Sequence, residues 1–246
     1  MERQATVTLT PRNTVYWLGG ILIVLLAIHF LSILLVYLVG PQNVFVTRIY
    51  HLFFPDAEWN IPALFNTCLF LINAAFFLIV WQVKRVAGEI QRIWTVLAGI
   101  FVFLAIDEFV ALHEMFIDPL RKLFNASGIF FYTWIIPYGI AVVVLAFFMI
   151  PVWWRQEKKI RLWLALSAGV YLFGAIGLEM VGGKYYEMMR MRKTLGYVFI
   201  STFEETLEMS GLIMLTYALL LLIRRHDHGF VISIAGTGDG TSKRKR

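Results

Sequence analysis

The chain has 246 residues, of which 59% are hydrophobic and only 15% charged, and its mean hydropathy is +0.72. A soluble domain carries about 45–50% apolar and about 25% charged residues, so this composition excludes an ordinary soluble class, and the long unbroken apolar runs exclude a β-barrel. The net charge of +6 sits beside the apolar runs, where basic residues orient a chain and touch anionic lipid, and it is no sign of nucleic-acid binding.

A membrane-spanning helix needs about 20 apolar residues. By that measure the chain is an all-α, polytopic membrane protein, one domain over 1–246 built as a six-helix bundle. Spans are expected at 15–39, 61–83, 93–115, 130–154, 161–182 and 197–223. The first run is too long for a signal-peptide core and lacks a small-residue cleavage site, so it reads as a retained helix. The sole cysteine, Cys68, excludes an intrachain disulfide. Most Lys and Arg residues, among them Arg12, Lys84, Arg85, Arg92, Arg155, Lys158 and Arg224, fall on the side of the termini. Both termini are therefore expected in the cytoplasm, with the chain in the cell inner (plasma) membrane and 226–246 a flexible basic tail. The loop 183–196 departs from this balance, with Lys184, Arg190, Arg192 and Lys193 on the outer side. Those four read as solvated, as holders of a lipid phosphate, or as partners for carboxylates below them.

Each span except the fourth brings a polar group to one depth, measured at a helical rise of about 1.5 Å per residue. In the first, His29 stands roughly 25 Å above Arg12. In the second, Asn66 stands roughly 27 Å above Lys84. In the third, Asp107 and Glu108 stand roughly 22–24 Å above Arg92, with His113 and Glu114 at the top. The fourth brings Pro137 and no charge, and reads as packing or lipid-facing wall. In the fifth, Glu179 stands roughly 27 Å above Arg161. In the sixth, Glu208 stands roughly 24 Å above Arg224, and Glu205 and Glu204 roughly 28–30 Å. The hydrocarbon core is about 30 Å thick, so these groups share its outer third or outer edge. A charge in hydrocarbon costs roughly 2.5–3.5 kcal/mol per residue, so protons, metal ions or basic partners must offset it.

Helical phase sorts the set. Glu204, Glu205 and Glu208 share one face. Asp107 and Glu108 lie about 100° apart, so both border a cavity but only one points at its centre. His113 lies about 140° from Glu108, so the two reach one ion only through a local kink. Asp107 or Glu108, Glu205 and Glu208 are thus expected inward, and Glu114 and Glu204 at the rim.

Packed carboxylates in a low-dielectric site cannot all stay ionised without a cation. Hard divalent ions take carboxylate oxygens, and iron, manganese or zinc also take imidazole. The candidate ligands of such an ion are Asp107, Glu108, His113, Glu179, Glu205 and Glu208. Asp107, Glu108 and Glu208 are also the candidate acid–base groups. A second tier comprises His29, Glu58, Asn66, Glu114 and Glu204. His29 also reads as a buried histidine bonded to another helix, and Asn66 as an interhelical hydrogen bond. The chain has no Glu-x-x-His, so a di-iron site would lack its usual signature.

The segment FFPDAEWNIPALFNTCLFLINAAFFL over 53–78, the AIDEFVALHE run and the EETLEM run resemble an uncharacterised family of bacterial six-helix integral membrane proteins. That family has an Asp-Glu…His-Glu segment, an acidic residue before Asn-x-Pro and a paired-Glu helix start. The resemblance implies no activity, and it draws attention to Glu58, Asn60 and Pro62 where the second span begins.

Three functions fit the acidic layer. The first is a metal-dependent membrane enzyme acting on a lipid-soluble substrate at the outer leaflet. The second is a cation- or proton-coupled transporter using the same carboxylates. The third is an assembly subunit whose carboxylates pair with basic residues of a membrane-protein partner. The inner halves of the spans are poor in polar residues, with Asn73 the main exception, which argues against a continuous water path.

Overall fold

A computed structural model of the protein describes residues 6–8, 10–89, 91–226 and 231–233. Strand β1 (Thr6–Thr8) leads to α1 (Pro11–Val39), the short α2 (Val44–Phe53), α3 (Ile61–Val86) and α4 (Ile93–Val110). Two short helices follow, α5 (Leu112–Met115) and α6 (Ile117–Phe124), then a 3-10 turn over Gly128–Phe130 and α7 (Ile135–Trp154). Next come α8 (Lys158–Leu172), a π-helical segment over Phe173–Leu178, α9 (Glu179–Met188), α10 (Leu195–His226) and β2 (Val231–Ser233). The α8, π and α9 segments run on as one helix, so six helices are long and apolar enough to cross a membrane.

β1 pairs antiparallel with β2, Thr6 opposite Ser233 and Thr8 opposite Val231. The described segments before α1 and after α10 therefore lie on one side of the bundle, as an even number of crossings requires. Apart from His226 and β2, the tail expected over 226–246 lies outside the described residues.

α10 is the axis of the bundle, packing on α1, α3, α8, the π segment and α9. Near the terminal side, Phe77, Val80, Trp94, Leu97, Leu219 and Leu222 form one apolar cluster. Above it a second cluster holds Leu22, Leu69, Phe70, Ala105, Met209 and Leu212. Asn73 ties α3 to α10 between these layers. Its amide donates to the Leu69 and Leu212 carbonyls at 2.9 and 3.1 Å and accepts from the Thr216 hydroxyl at 3.1 Å. The main polar exception of the inner half is thus satisfied helix-to-helix glue.

Three spans differ from their expected limits for local reasons. The third ends at Val110, because Ala111 takes a left-handed conformation, φ 55°, and closes α4 with its N–H on the Asp107 carbonyl. The fourth begins at Ile135, so Pro137 falls in its first turn, where no intrahelical N–H is needed. The fifth does not stop at Gly182-Gly183 but continues to Met188.

Small residues let that fifth span close on α10. A Cβ on Gly174 would stand 2.9 Å from the Glu204 carbonyl oxygen and 3.1 Å from Glu208 Cγ. A Cβ on Gly211 would stand 2.7–2.9 Å from the Tyr171 backbone and Cβ. This approach places Tyr171 and Glu179 against the acidic face of α10.

Candidate functional site

The site starts in the loop between α2 and α3. Asn60 caps α3 by accepting from the Ala63 N–H at 2.9 Å, and its amide donates to the Phe54 carbonyl at 2.6 Å and the His51 carbonyl at 3.3 Å. One side chain thus folds 54–60 into a tight turn. Trp59 within it adopts φ 58° and rests its ring 5.0 Å from Phe109. A bulky residue held left-handed is backbone strain of the kind found beside functional groups. The turn points Asp56 and Glu58 over the bundle.

Asp107 organises the second wall. Its Oδ1 accepts the His113 backbone N–H at 2.9 Å, and its Oδ2 meets His113 Nδ1 at 3.2 Å. Ala111 supplies the local kink needed to turn His113 back toward the carboxylates. The His113 ring packs 5.0 Å from Trp134. With Nδ1 held by Asp107, Nε2 is the ring atom left to coordinate. Glu58, His113 and Glu114 each present one ligand atom, all within 4.8 Å of one another.

α10 and the π segment close the third wall. Trp134 donates its indole N–H to Glu179 Oε1 at 3.0 Å. The Glu179 and Glu204 carboxyl groups line the same cavity, and like charges crowded there cannot all stay ionised without a proton or cation. Tyr171 and Tyr138 line the cavity together with Glu208 and Asp107.

These walls enclose one cavity of about 140 Å³. Asp56, Glu58, Asp107, Glu108, Glu114, Glu179, Glu204, Glu205 and Glu208 line it with His113, and no Lys or Arg does so among the described residues. More than half of the chain's 16 acidic residues converge there, which no scatter of interfacial carboxylates explains. Phe70, Leu104 and Tyr171 form part of its lining above the apolar layers.

The electrostatics of the far-side loops follow from this crowding. Burial, then the charges of Glu108 and Glu114, push Glu58 up to about 7. Asp56 is also raised, chiefly by burial, although Lys193 at 2.8 Å and the Tyr197 hydroxyl at 3.2 Å oppose that shift. For His113, burial alone would lower the pKa, but the hydrogen bond and charge of Asp107 outweigh it and hold the ring at about 9. One oxygen of Glu58 is buried without a hydrogen-bond partner among the described residues.

The structure brings Asp107, Glu108, His113, Glu179, Glu205 and Glu208 to this cavity, together with Glu58, Glu114 and Glu204 from the second tier. Glu204 departs from its expected place at the rim. It is only 7% exposed, because α10 starts at Leu195 and two turns of helix precede it. Glu114 stays exposed. His29 is elsewhere, fully buried, with Nε2 3.0 Å from the Thr202 hydroxyl and its ring stacked 5.6 Å from Phe54. Asn66 makes no interhelical bond. Its amide faces Glu108 without reaching hydrogen-bond distance, and neither polar atom has a partner among the described residues.

Sequence reasoning passed over Asp56, Trp134, Tyr138 and Tyr171. Asp56 sits two residues before Glu58 and shared its signal. Trp134 and Tyr138 carried none, since an indole or phenol near a span end reads as an interfacial anchor, and Tyr171 is one aromatic residue in the middle of the apolar fifth span. The fourth span, expected to be wall alone, supplies Tyr138, and Trp134 immediately precedes it.

The model of one family, described as a domain of unknown function (DUF8692), matches residues 15–222. The chain belongs to that family. No curated protein and no solved structure matches it. The match covers all six helices but for the outermost residues of α1 and α10, and it agrees with the resemblance to an uncharacterised family.

Proposed function

We propose that Glu58, His113 and Glu114 hold a divalent metal ion at the far-side end of the cavity, and that the chain is a membrane enzyme acting there on a lipid-soluble substrate. The observation that carries this is the doubly held Asp107–His113 pair, with two carboxylates in ligand range of the same ring. A carboxylate on one imidazole nitrogen orients the other toward a metal and raises its basicity. One imidazole with carboxylate oxygens suits iron, manganese or zinc. Such an ion polarises a carbonyl or phosphoryl oxygen.

The chain's own residues then divide the work. Asp107 is a positioning residue that fixes the His113 ring. Glu108, Glu205 and Glu208, deeper in the cavity, are the groups proposed to hold or move a proton on the substrate. Glu179 and Glu204 line the wall, and Trp134 fixes the first of them. The apolar layers beneath Phe70 and Leu104, with Asn73 fully used in packing, favour a closed reaction chamber over a transport path. The Lys and Arg balance supports the far side as the outer one, and the resemblance supports a bacterial inner membrane.

Metal analysis of the purified protein, with thermal unfolding in the presence and absence of chelator, tests the reading. Near-stoichiometric iron, manganese or zinc and a chelator-sensitive melting temperature are expected. No bound metal and no chelator effect would overturn it.

A further inference from the structure

A second cavity of about 440 Å³ adjoins the acidic one and shares Glu58 with it. Its other walls are α2, with Val44, Thr47, Arg48, His51 and Leu52, and the Trp59–Asn60 turn. The size lies within the usual range of ligand sites, about 300–1,000 Å³. Unlike its neighbour, it holds an arginine, Arg48, beside His51 and the shared Glu58. Arg48 and His51 are three residues apart and share a face of α2. Among the described residues, neither side chain pairs with a carboxylate, although Glu58 lines the same groove.

The setting of α2 says what covers this groove. The helix has ten residues, about 15 Å of length, too short to span a membrane. It nevertheless exposes Val44 at 66% and Phe45 at 72%. A short helix with exposed apolar residues and a basic pair lies in the headgroup–acyl boundary of a bilayer. Trp59, 68% exposed on the opposite wall, is the residue type enriched at that level. The ligand that matches an unpaired arginine and a histidine between apolar walls at this depth is a phosphate carrying acyl chains.

We infer that this groove binds the phosphate of a membrane phospholipid headgroup on Arg48 and His51, with the acyl chains along Val44 and Leu52. The inference rests on the proposed function only where it names a phospholipid as the class of lipid-soluble substrate. The shared Glu58 sets the bound headgroup beside the Glu58–His113–Glu114 group.

Native mass spectrometry of the full chain in detergent tests this, after incubation with phosphatidylglycerol or with diacylglycerol of the same acyl chains. The wild type is expected to retain phosphatidylglycerol and not diacylglycerol. Arg48→Gln with His51→Gln, both outside the packed core, is expected to lower that retention about tenfold, as loss of one charge-assisted phosphate contact does. Unchanged retention in the double variant overturns the site, and equal retention of diacylglycerol overturns the part played by phosphate. Binding of inorganic phosphate through the same two residues, with no retention of phosphatidylglycerol, overturns the lipid as its source. Metal content is read on the same samples. His113→Ala that loses metal yet retains phosphatidylglycerol supports two adjacent sites. A wild type that retains the lipid but never metal sinks the metal reading and leaves this one standing.

Discussion

Asp107 grips His113 twice, through the backbone N–H at 2.9 Å and through ring Nδ1 at 3.2 Å. The two residues are only six apart, and the left-handed Ala111 between them makes the grip geometrically feasible. A carboxylate that a depth argument places in the membrane is here the clasp of a helix break. It fixes both where the chain turns and which way an imidazole faces.

Asp107→Asn is the direct test of that clasp. The amide keeps the shape but has one acceptor where the carboxylate had two, and its NH₂ confronts a ring nitrogen or the backbone N–H. Loss of such an outer carboxylate costs about 10–100-fold in metal affinity. Titration calorimetry on the two proteins should show a drop of that size, with His113→Ala losing more. Equal affinity in Asp107→Asn and wild type would mean that the pair is a structural cap alone.

Asp56 gives a pH dependence whose sign is set by burial. Its pKa is raised in the folded protein above the ordinary 3.8, mainly because burial penalises the ion. A group with a raised folded pKa contributes stability that is complete below its unfolded pKa and lost as pH rises through the folded one. Thermal unfolding in detergent should therefore show the wild type losing stability relative to Asp56→Asn as pH rises from about 4 toward neutrality. The difference between the two proteins isolates Asp56 from the other carboxylates. A difference that grows in the opposite direction would mean that the ion pair with Lys193 dominates.

The parts of this fold legible in the sequence are those that repeat along a helix. Apolar length gave six crossings, and rise per residue put Asp107, Glu179 and Glu208 at one level. The unread parts depend on single residues breaking that regularity. Ala111 is an ordinary helix former, so nothing in ALHE announces a left-handed turn. FGAIGL carries no sequence signature of a π-helical segment. Asn60 has a cap residue's identity, but its two bonds back to Phe54 and His51 follow from the turn it makes. Hence Glu58 and Glu114, second-tier in the linear reading, end within ligand range of His113, while His29, at the right depth, faces Thr202 instead.

Gly174 and Gly211 are expected to tolerate no side chain. The atoms that a new methyl would meet at Gly174 include the Glu204 carbonyl, and at Gly211 the Tyr171 backbone, neither of which can swing aside. Gly174→Ala and Gly211→Ala should each cost about 1–3 kcal/mol, the usual range for overpacking. Because the displaced helix carries Glu179, which holds Trp134 against the His113 ring, metal content should fall along with thermal stability. Gly169, with open space around its Cβ position, is the matched control, and Gly169→Ala should be neutral or slightly stabilising. A Gly174→Ala protein as stable as Gly169→Ala would show that α10 and the fifth span are not held as closely as the structure has them.

Asn66 separates a cost in stability from a use in the site. It is 1% exposed, neither polar atom has a hydrogen-bond partner among the described residues, and it faces Glu108. A buried unsatisfied amide costs about 1–3 kcal/mol. Asn66→Leu, with the same side-chain branching, should therefore raise the melting temperature of metal-free protein, since it removes that cost and suits the neighbouring Leu69 and Phe70. If the amide is retained for the cavity, the same variant should lower metal-dependent activity, because Glu108 then faces an apolar group in place of the polar amide. Higher stability with activity lost places Asn66 among the residues that serve the acidic cavity. Lower stability would instead mean that the amide finds a partner in solution, with Glu108 the nearest group to supply one.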